Sequence, residues 1–101
     1  MIKLNLDVQP NQSLKYQNDQ ELYEIVIRTT SKSTFYSVFR NQVEIISNQI
    51  LIANTLLIQS KYQQTNGNFI FYSISNEFPD YNKFNVNQFL YYATNKELAN
   101  G

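Results

Sequence analysis

The sequence lacks the side chains on which most metal and proton-transfer sites depend. It contains no cysteine and no histidine among 101 residues. This excludes disulfides, thiolate metal sites and cysteine nucleophiles, and it removes the usual proton carriers near neutral pH. A Ser/His/Asp triad cannot be assembled, and the two glycines, Gly67 and Gly101, form no phosphate-binding loop. We therefore expect a protein that is not an enzyme and has no cofactor or metal ion.

Charge of either sign is also scarce. Eight basic residues balance eight acidic ones, and the calculated isoelectric point is 6.1. Binding to a phosphate backbone requires a positive surplus, so nucleic acid is a poor candidate partner. The first eight residues alternate apolar and polar side chains, unlike the apolar core of a signal peptide. No apolar run approaches the length of a membrane span, so we expect a soluble chain without a membrane partner.

Asparagine and glutamine are abundant instead and supply 24 of the 101 positions. They are scattered between apolar runs, which is the pattern that AT-rich codon usage would produce without any function attached. Asparagine also accepts positive φ more readily than other residues with a Cβ atom. This property suits turns in a chain that has only two glycines.

Alternating apolar and polar residues predict β-strands over most of the chain. In residues 21–30, for example, Tyr23, Ile25 and Ile27 share one face. The predicted strands cover residues 1–8, 14–17, 21–30, 35–40, 43–46, 68–75 and 88–94. Turns are predicted at residues 18–20, 31–33, 41–42 and 66–67, a break in pairing at Phe78–Pro79, a loop over 82–87, and one helical turn over 96–100.

Residues 43–58 (VEIISNQILIANTLLI) fit two kinds of element. Val43, Ile46, Ile50, Ala53 and Leu57 recur at helical spacing. However, the segment is rich in isoleucine, and further apolar residues fill the face that a helix would leave polar. These features favour two or three short strands.

The element pattern predicts one all-β domain over residues 1–101. Turn signals every eight to twelve residues are typical of small antiparallel sandwiches and barrels. We predict a small antiparallel β-sandwich or barrel of about seven or eight strands.

Aromatic residues exceed what one small core can hold. The chain has eight tyrosines and seven phenylalanines, and the segments 69–74 and 89–92 are apolar on both faces. A two-layer fold has one interior, so the second face should meet another polypeptide or lie under a loop. Tyrosine and phenylalanine are enriched at the centres of protein interfaces. The candidate interface residues are Phe69, Phe71, Tyr72, Phe78, Tyr81, Phe84, Tyr91 and Tyr92.

Two other functions remain open at this point. Tyrosine with asparagine and glutamine could bind sugars, so a small β-sandwich module for carbohydrate or peptide is the alternative. Glu77 and Asp80 lie close together and could act in acid/base chemistry or hold calcium. We interpret these two carboxylates as part of a solvated turn, because a calcium site needs more oxygen ligands.

The order of short motifs resembles the small plug proteins of contractile-tailed phage baseplates, known from a cyanophage. The matching segments are PNQ (10–12), YEIVIR (23–28), FYSV (35–38), IISN (45–48), TLL (55–57), NGNFIF (66–71), EFPDY (77–81) and QFLYY (88–92). They extend over nearly the whole chain. Members of that family favour glycine near Asn48 and Asn54, where this chain has asparagine.

The resemblance implies a virion structural protein in the tail baseplate. Such a subunit would be made in the bacterial host cytoplasm and would lie beside the hub, spike and tail tube proteins, with symmetric copies of itself as further candidate partners. It would act by filling space and holding neighbours together. The turn at residues 77–81 would be a contact loop with Phe78 or Tyr81 as its anchor.

Overall fold

The computed structural model describes residues 1–31 and 33–100, which form eight β-strands and one short α-helix. The strands are β1 (Ile2–Leu4), β2 (Asn11–Gln17), β3 (Leu22–Thr29), β4 (Thr34–Arg40), β5 (Val43–Ile50), β6 (Thr55–Leu56), β7 (Gly67–Ser73) and β8 (Gln88–Thr94). The helix α1 spans Asn95–Asn100, and 3-10 turns lie at Lys61–Gln63 and Tyr81–Lys83.

The strands form two antiparallel four-stranded sheets that pack face to face. The first sheet has the order β1-β8-β7-β6 and the second the order β2-β3-β4-β5. Neither sheet closes into a barrel. The predicted antiparallel all-β fold of about seven or eight strands is therefore confirmed, and of the two predicted architectures it is the sandwich.

Strand β3 shows why the alternating pattern predicts the fold. Tyr23, Ile25 and Ile27 are at most 1% exposed, whereas the residues between them reach the outer face of the second sheet. One inward face of β3 thus supplies a large part of the core, as expected from its period of two. The core continues across the first sheet through Phe69, Phe71 and other buried side chains.

Residues 43–58 contain two strands, as predicted, and no helix. They form β5 and β6, which are joined by a short connection. The register between β4 and β5 shifts on either side of Val38, so the ladder is bulged there. Because of this irregularity, consecutive residues Ile45 and Ile46 are both half-buried and pack against the core.

Amide residues occupy the left-handed backbone positions. Asn41 and Gln42 have φ of 51° and 70° in the two-residue β4–β5 hairpin, where the sequence predicts positive φ. Asn48 and Asn54 also have positive φ, of 50° and 61°. The remaining described residues of this kind are Asn76 and Asn85.

The predicted role of Gly67 is wrong. Asn66–Gly67 is not a tight hairpin turn, and Gly67 is the first residue of β7, paired with Thr94. A Cβ atom on Gly67 would lie 2.3 Å from the carbonyl oxygen of Ala93 and 2.5 Å from the Tyr92 hydroxyl. Glycine is required here because the neighbouring strand approaches closely.

Several strand ends differ from the prediction. Strand β1 ends at Leu4 although the alternation continues to Val8; three residues further on, the Gln12 side chain bonds both the N–H and the C=O of Asp7 at 2.8 Å. Strand β2 begins three residues earlier than predicted, β5 extends to Ile50 and β7 ends at Ser73. The break in pairing after β7 and the terminal helical turn are confirmed. The predicted turn at 31–33 includes Lys32, which lies outside the described residues.

Candidate interaction surface

Four of the eight candidate interface residues lie inside the sandwich. Phe69, Phe71 and Phe84 have no exposed surface, and Tyr92 is 2% exposed. The strand register directs Phe69, Phe71 and Tyr92 inward, and the Phe84 ring packs edge-on against Phe71 with centroids 5.8 Å apart. In this fold, these four side chains are core residues and have no surface to offer a partner. The candidate set is therefore reduced to Tyr72, Phe78, Tyr81 and Tyr91.

Tyr72 and Tyr91 belong to the outward side of the first sheet. The register aligns Leu56, Ile70, Tyr91 and Lys3 in one row and Tyr72 with Phe89 in the next. We call this surface, made of Lys3, Leu56, Ile70, Tyr72, Phe89 and Tyr91, the outer aromatic face. Tyr72 is 41% exposed, and the Lys3 ammonium lies 5.5 Å from the centre of the Phe89 ring.

The outward side of the second sheet is different in character. Lys15 pairs with Glu24, and Ser13 and Ser37 flank Val26. Polar and charged residues thus interrupt the apolar ones on this side, whereas Lys3 is the one charged member of the outer aromatic face. Segment 69–74 has one face in the core and a second face on which Ile70 is half-buried and Tyr72 and Ile74 are exposed.

Phe78 is the most exposed aromatic residue of the described chain, with 92% of its surface accessible. It lies in the loop at residues 77–81, which we call the Phe78 loop. The loop follows β7 and leads into the 3-10 turn Tyr81–Lys83. Tyr81 is only partly exposed and packs against the core, so Phe78 is the outward member of the predicted anchor pair.

Hydrogen bonds fix the backbone on both sides of Phe78. The fully buried Gln88 side chain donates to the Phe78 carbonyl at 2.9 Å and accepts from the Asp80 N–H at 2.8 Å. The Ser73 hydroxyl accepts from the Glu77 N–H at 3.1 Å. The Phe78 ring is therefore presented to solvent by a backbone that is anchored in the core.

Depressions surround the Phe78 ring at this end of the sandwich. One of them, of about 660 Å³, lies between the Phe78 loop and a rim that includes Pro10 and Thr30, and polar residues make up most of its lining. Two others, of about 450 and 260 Å³, are lined by Ile52 and Ile50, which are each about half exposed. The end thus combines a projecting ring with one mainly polar and two more apolar depressions.

The carboxylates of the Phe78 loop have structural partners. Glu77 forms an ion pair with Lys83, and this hydrogen bond raises the pKa of Lys83 above its ordinary value. Asp80 accepts from the N–H of Asn82 at 3.0 Å and caps the following 3-10 turn. No group of three or more acidic residues that could hold a metal ion occurs within residues 1–31 and 33–100. This supports the interpretation of the pair as a turn.

A buried carboxylate lies at the opposite end of the sandwich, and no pattern in the sequence indicates it. Glu21 is 8% exposed, and its side chain faces the Arg40 guanidinium at 3.9 Å. Its donors are the hydroxyls of Tyr23 (2.9 Å) and Thr65 and the amides of Asn66 (3.2 Å) and Asn18 (3.5 Å). Burial would raise the pKa of Glu21, but these hydrogen bonds outweigh burial and hold the pKa below its ordinary value.

Comparison with known protein families identifies the family of the chain. None of the helices in the described part of the chain is long and apolar enough to cross a membrane. No curated protein matches the sequence. The family described as cyanophage baseplate Pam3 plug gp18 matches residues 1–96 of the 101. Members of that family are structural components of a phage baseplate, and this membership places the protein in the virion. The family is not a known enzyme family. The chain belongs to this family of cyanophage baseplate plug proteins.

Proposed function

We propose that the protein is a plug-like subunit that packs against the hub and spike proteins at the distal end of the tail tube, with Phe78 as its main anchor. The observation that carries this proposal is the 92% exposure of Phe78 on a loop whose backbone is hydrogen-bonded to the buried Gln88. An aromatic ring held in water by a fixed loop is typical of the central residues of protein interfaces.

The energetics support an anchor role for this ring. Burying a phenylalanine side chain contributes about 1.5–3 kcal/mol. At about 1.4 kcal/mol per tenfold change in affinity, this corresponds to about 10- to 150-fold in binding. Because the loop backbone is already bonded, little conformational freedom is lost when the ring enters a partner. The depressions beside the ring would receive side chains of that partner.

The outer aromatic face supports a second contact with the assembly. The pair Tyr72–Phe89 lies next to the pair Ser73–Gln88 in the β7–β8 ladder. The side chains of Ser73 and Gln88 hold the Phe78 loop. The aromatic face therefore extends along the first sheet towards the same end of the sandwich. A neighbouring tail protein, such as the tube, or a further copy of this chain would cover it after synthesis in the host cytoplasm.

Incorporation of alanine variants into tails tests the anchor. We expect Phe78→Ala to lower the amount of this protein in purified tails at least tenfold, measured by mass spectrometry relative to the hub protein. Tyr81→Ala should have a smaller effect, because Tyr81 is partly packed in the chain's own core.

Tyr62→Ala is the matched control, since Tyr62 is also an exposed aromatic residue, at 87%, but lies in the turn Lys61–Gln63 away from the Phe78 loop. Normal incorporation of a folded Phe78→Ala protein would refute the anchor role. If Tyr62→Ala, and not Phe78→Ala, lowered incorporation into tails, the contact would instead lie on the side of the molecule that carries Tyr62.

A further inference from the structure

The two lateral sides of the sandwich, where the edges of the sheets meet solvent, are not equivalent. On the side of β5 and β6, the connection after β6 fills the gap between the sheets with Leu57 and Ile58, each 1% exposed. The Tyr36 hydroxyl donates to the Leu57 carbonyl at 2.6 Å, and Gln63 donates to the carbonyl of Ile45 on β5 at 3.2 Å. This side is closed by the chain itself.

The side formed by β1 and β2 is closed only in part, by the buried Leu4 and Leu6 of β1 and the connection that follows it. Ile2 pairs with the buried Tyr92, so its side chain is on the inward face of the first sheet, yet it is 49% exposed. Leu14 and Tyr16 are the inward residues of β2, and they too are only partly buried. The Tyr16 ring lies 4.6 Å from that of Tyr92, which places β2 opposite β8 and next to the overhanging β1. Inward-facing apolar surface therefore reaches solvent along this side.

The outer edge of β2 also carries unpaired backbone groups. The bonds from Thr29 N–H to the Pro10 carbonyl and from Asn18 N–H to the Glu21 carbonyl lie at the two ends of the β2–β3 ladder. Because bonded pairs alternate in an antiparallel ladder, the even-numbered residues of β2 bond β3. Asn11, Ser13, Lys15 and Gln17 therefore direct their N–H and C=O groups outward, and no described residue bonds them there.

The other three sheet edges have features that discourage pairing with another chain. Strands β1 and β6 have three and two residues. Strand β5 is bulged, and Gln63 occupies one of its carbonyls. Shortness, bulges, covering groups and charged side chains such as lysine are the usual protections of edge strands. Strand β2 is seven residues long and pairs with β3 without a register shift, and its one protection of this kind among the described residues is the charge of Lys15.

We propose that the β2 edge pairs in antiparallel fashion with the β2 edge of a second copy of this chain. A register centred on Leu14 places Leu14 of one copy beside Leu14 of the other on the inward face. It also places Ser13 of one copy opposite Lys15 of the other, so the two Lys15 side chains, which carry the only charges of β2, are not directly opposite each other. Main-chain bonds would join the two sheets, and the exposed parts of Leu14, Tyr16 and Ile2 would be covered.

Proline at Ser13 tests the pairing. The Ser13 N–H points away from β3, so proline there removes no bond of the folded chain but blocks strand addition. The experiment compares the unmodified chain, Ser13→Pro and Ser13→Ala by sedimentation equilibrium from micromolar to millimolar concentration. We expect a concentration-dependent dimer for the unmodified chain and for Ser13→Ala, and a dissociation constant at least tenfold larger for Ser13→Pro at an unchanged melting temperature.

Hydrogen exchange gives a second measurement that does not depend on the proline variant. The amides of Ser13 and Lys15 should gain protection as the concentration rises, whereas those of Leu14 and Tyr16 should be protected at all concentrations. A chain that stays monomeric up to millimolar concentration would overturn the proposal. So would a dimer that Ser13→Pro leaves intact while the amides of Ser13 and Lys15 exchange freely. Neither result bears on Phe78, so failure here is distinct from failure of the anchor.

Discussion

Phe71 and Phe78 carry the same side chain in opposite environments, which allows a paired test of the division between core and contact residues. Phe71 has no exposed surface and packs against Phe84, whereas Phe78 is 92% exposed. Truncation of a buried phenylalanine to alanine removes transfer free energy and leaves a cavity, at a cost of about 3–5 kcal/mol. Truncation of an exposed side chain changes the free energy of unfolding by no more than about 0.5 kcal/mol.

The cost expected for Phe71→Ala is large relative to the stability of a small protein, which is about 5–15 kcal/mol in total. At about 4–8 °C per kcal/mol, Phe71→Ala should lower the melting temperature by more than 10 °C, and Phe78→Ala should leave it within a few degrees. Circular dichroism follows both a thermal scan, which gives the melting temperature, and a urea titration, which gives the free energy of unfolding; it is the probe of choice because the chain has no tryptophan to report by fluorescence. A loss of more than 1 kcal/mol from Phe78→Ala, or of less than that from Phe71→Ala, would refute the assignment.

Two further substitutions test other features of the fold. Gly67→Ala should lower the free energy of unfolding by about 1–3 kcal/mol, because its Cβ would meet the Ala93 carbonyl oxygen at 2.3 Å. Adding Tyr92→Phe should not restore stability, since the contact with the Ala93 backbone remains. Glu21 has a folded-state pKa below its ordinary value of 4.5, so its carboxylate stabilises the fold above that pH, and this contribution is lost as the pH falls towards the folded pKa. Glu21→Gln should therefore make unfolding less dependent on pH below about 4.5; an unchanged acid unfolding curve would argue against the buried carboxylate network.

Local alternation was sufficient to predict most strands but not where each one ends. The inward set of β3 follows directly from the spacing of Tyr23, Ile25 and Ile27, since a period of two admits one inward face. Strand β1 stops at Leu4, and beyond it the backbone of Asp7 bonds the Gln12 side chain. A side-chain amide that replaces a strand partner leaves no trace in the hydrophobic pattern.

The candidate surface was predictable only in part, because local sequence signals do not show tertiary contacts. The sequence indicates an excess of aromatic residues, and the break in pairing at Phe78–Pro79 indicates an exposed loop. It does not indicate that Phe84, also in a loop, turns back against Phe71, because this contact depends on the tertiary fold. The hydrogen-bond network around Glu21 could likewise not be predicted from the sequence, since Thr65 and Asn66 lie more than forty positions away along the chain. Whether Phe78 meets a partner stays a prediction.

The amides at left-handed positions have a consequence for how this fold can be encoded. All six described non-glycine residues with positive φ are asparagine or glutamine. Glycine codons begin with two guanines and asparagine codons with two adenines. A genome poor in guanine can therefore encode asparagine in place of glycine at such turns while the backbone keeps its positive φ. The small penalty of asparagine at this angle is spread over separate turns. Plug proteins from phages of different base composition could thus share a backbone path while differing at the very residues that bend it.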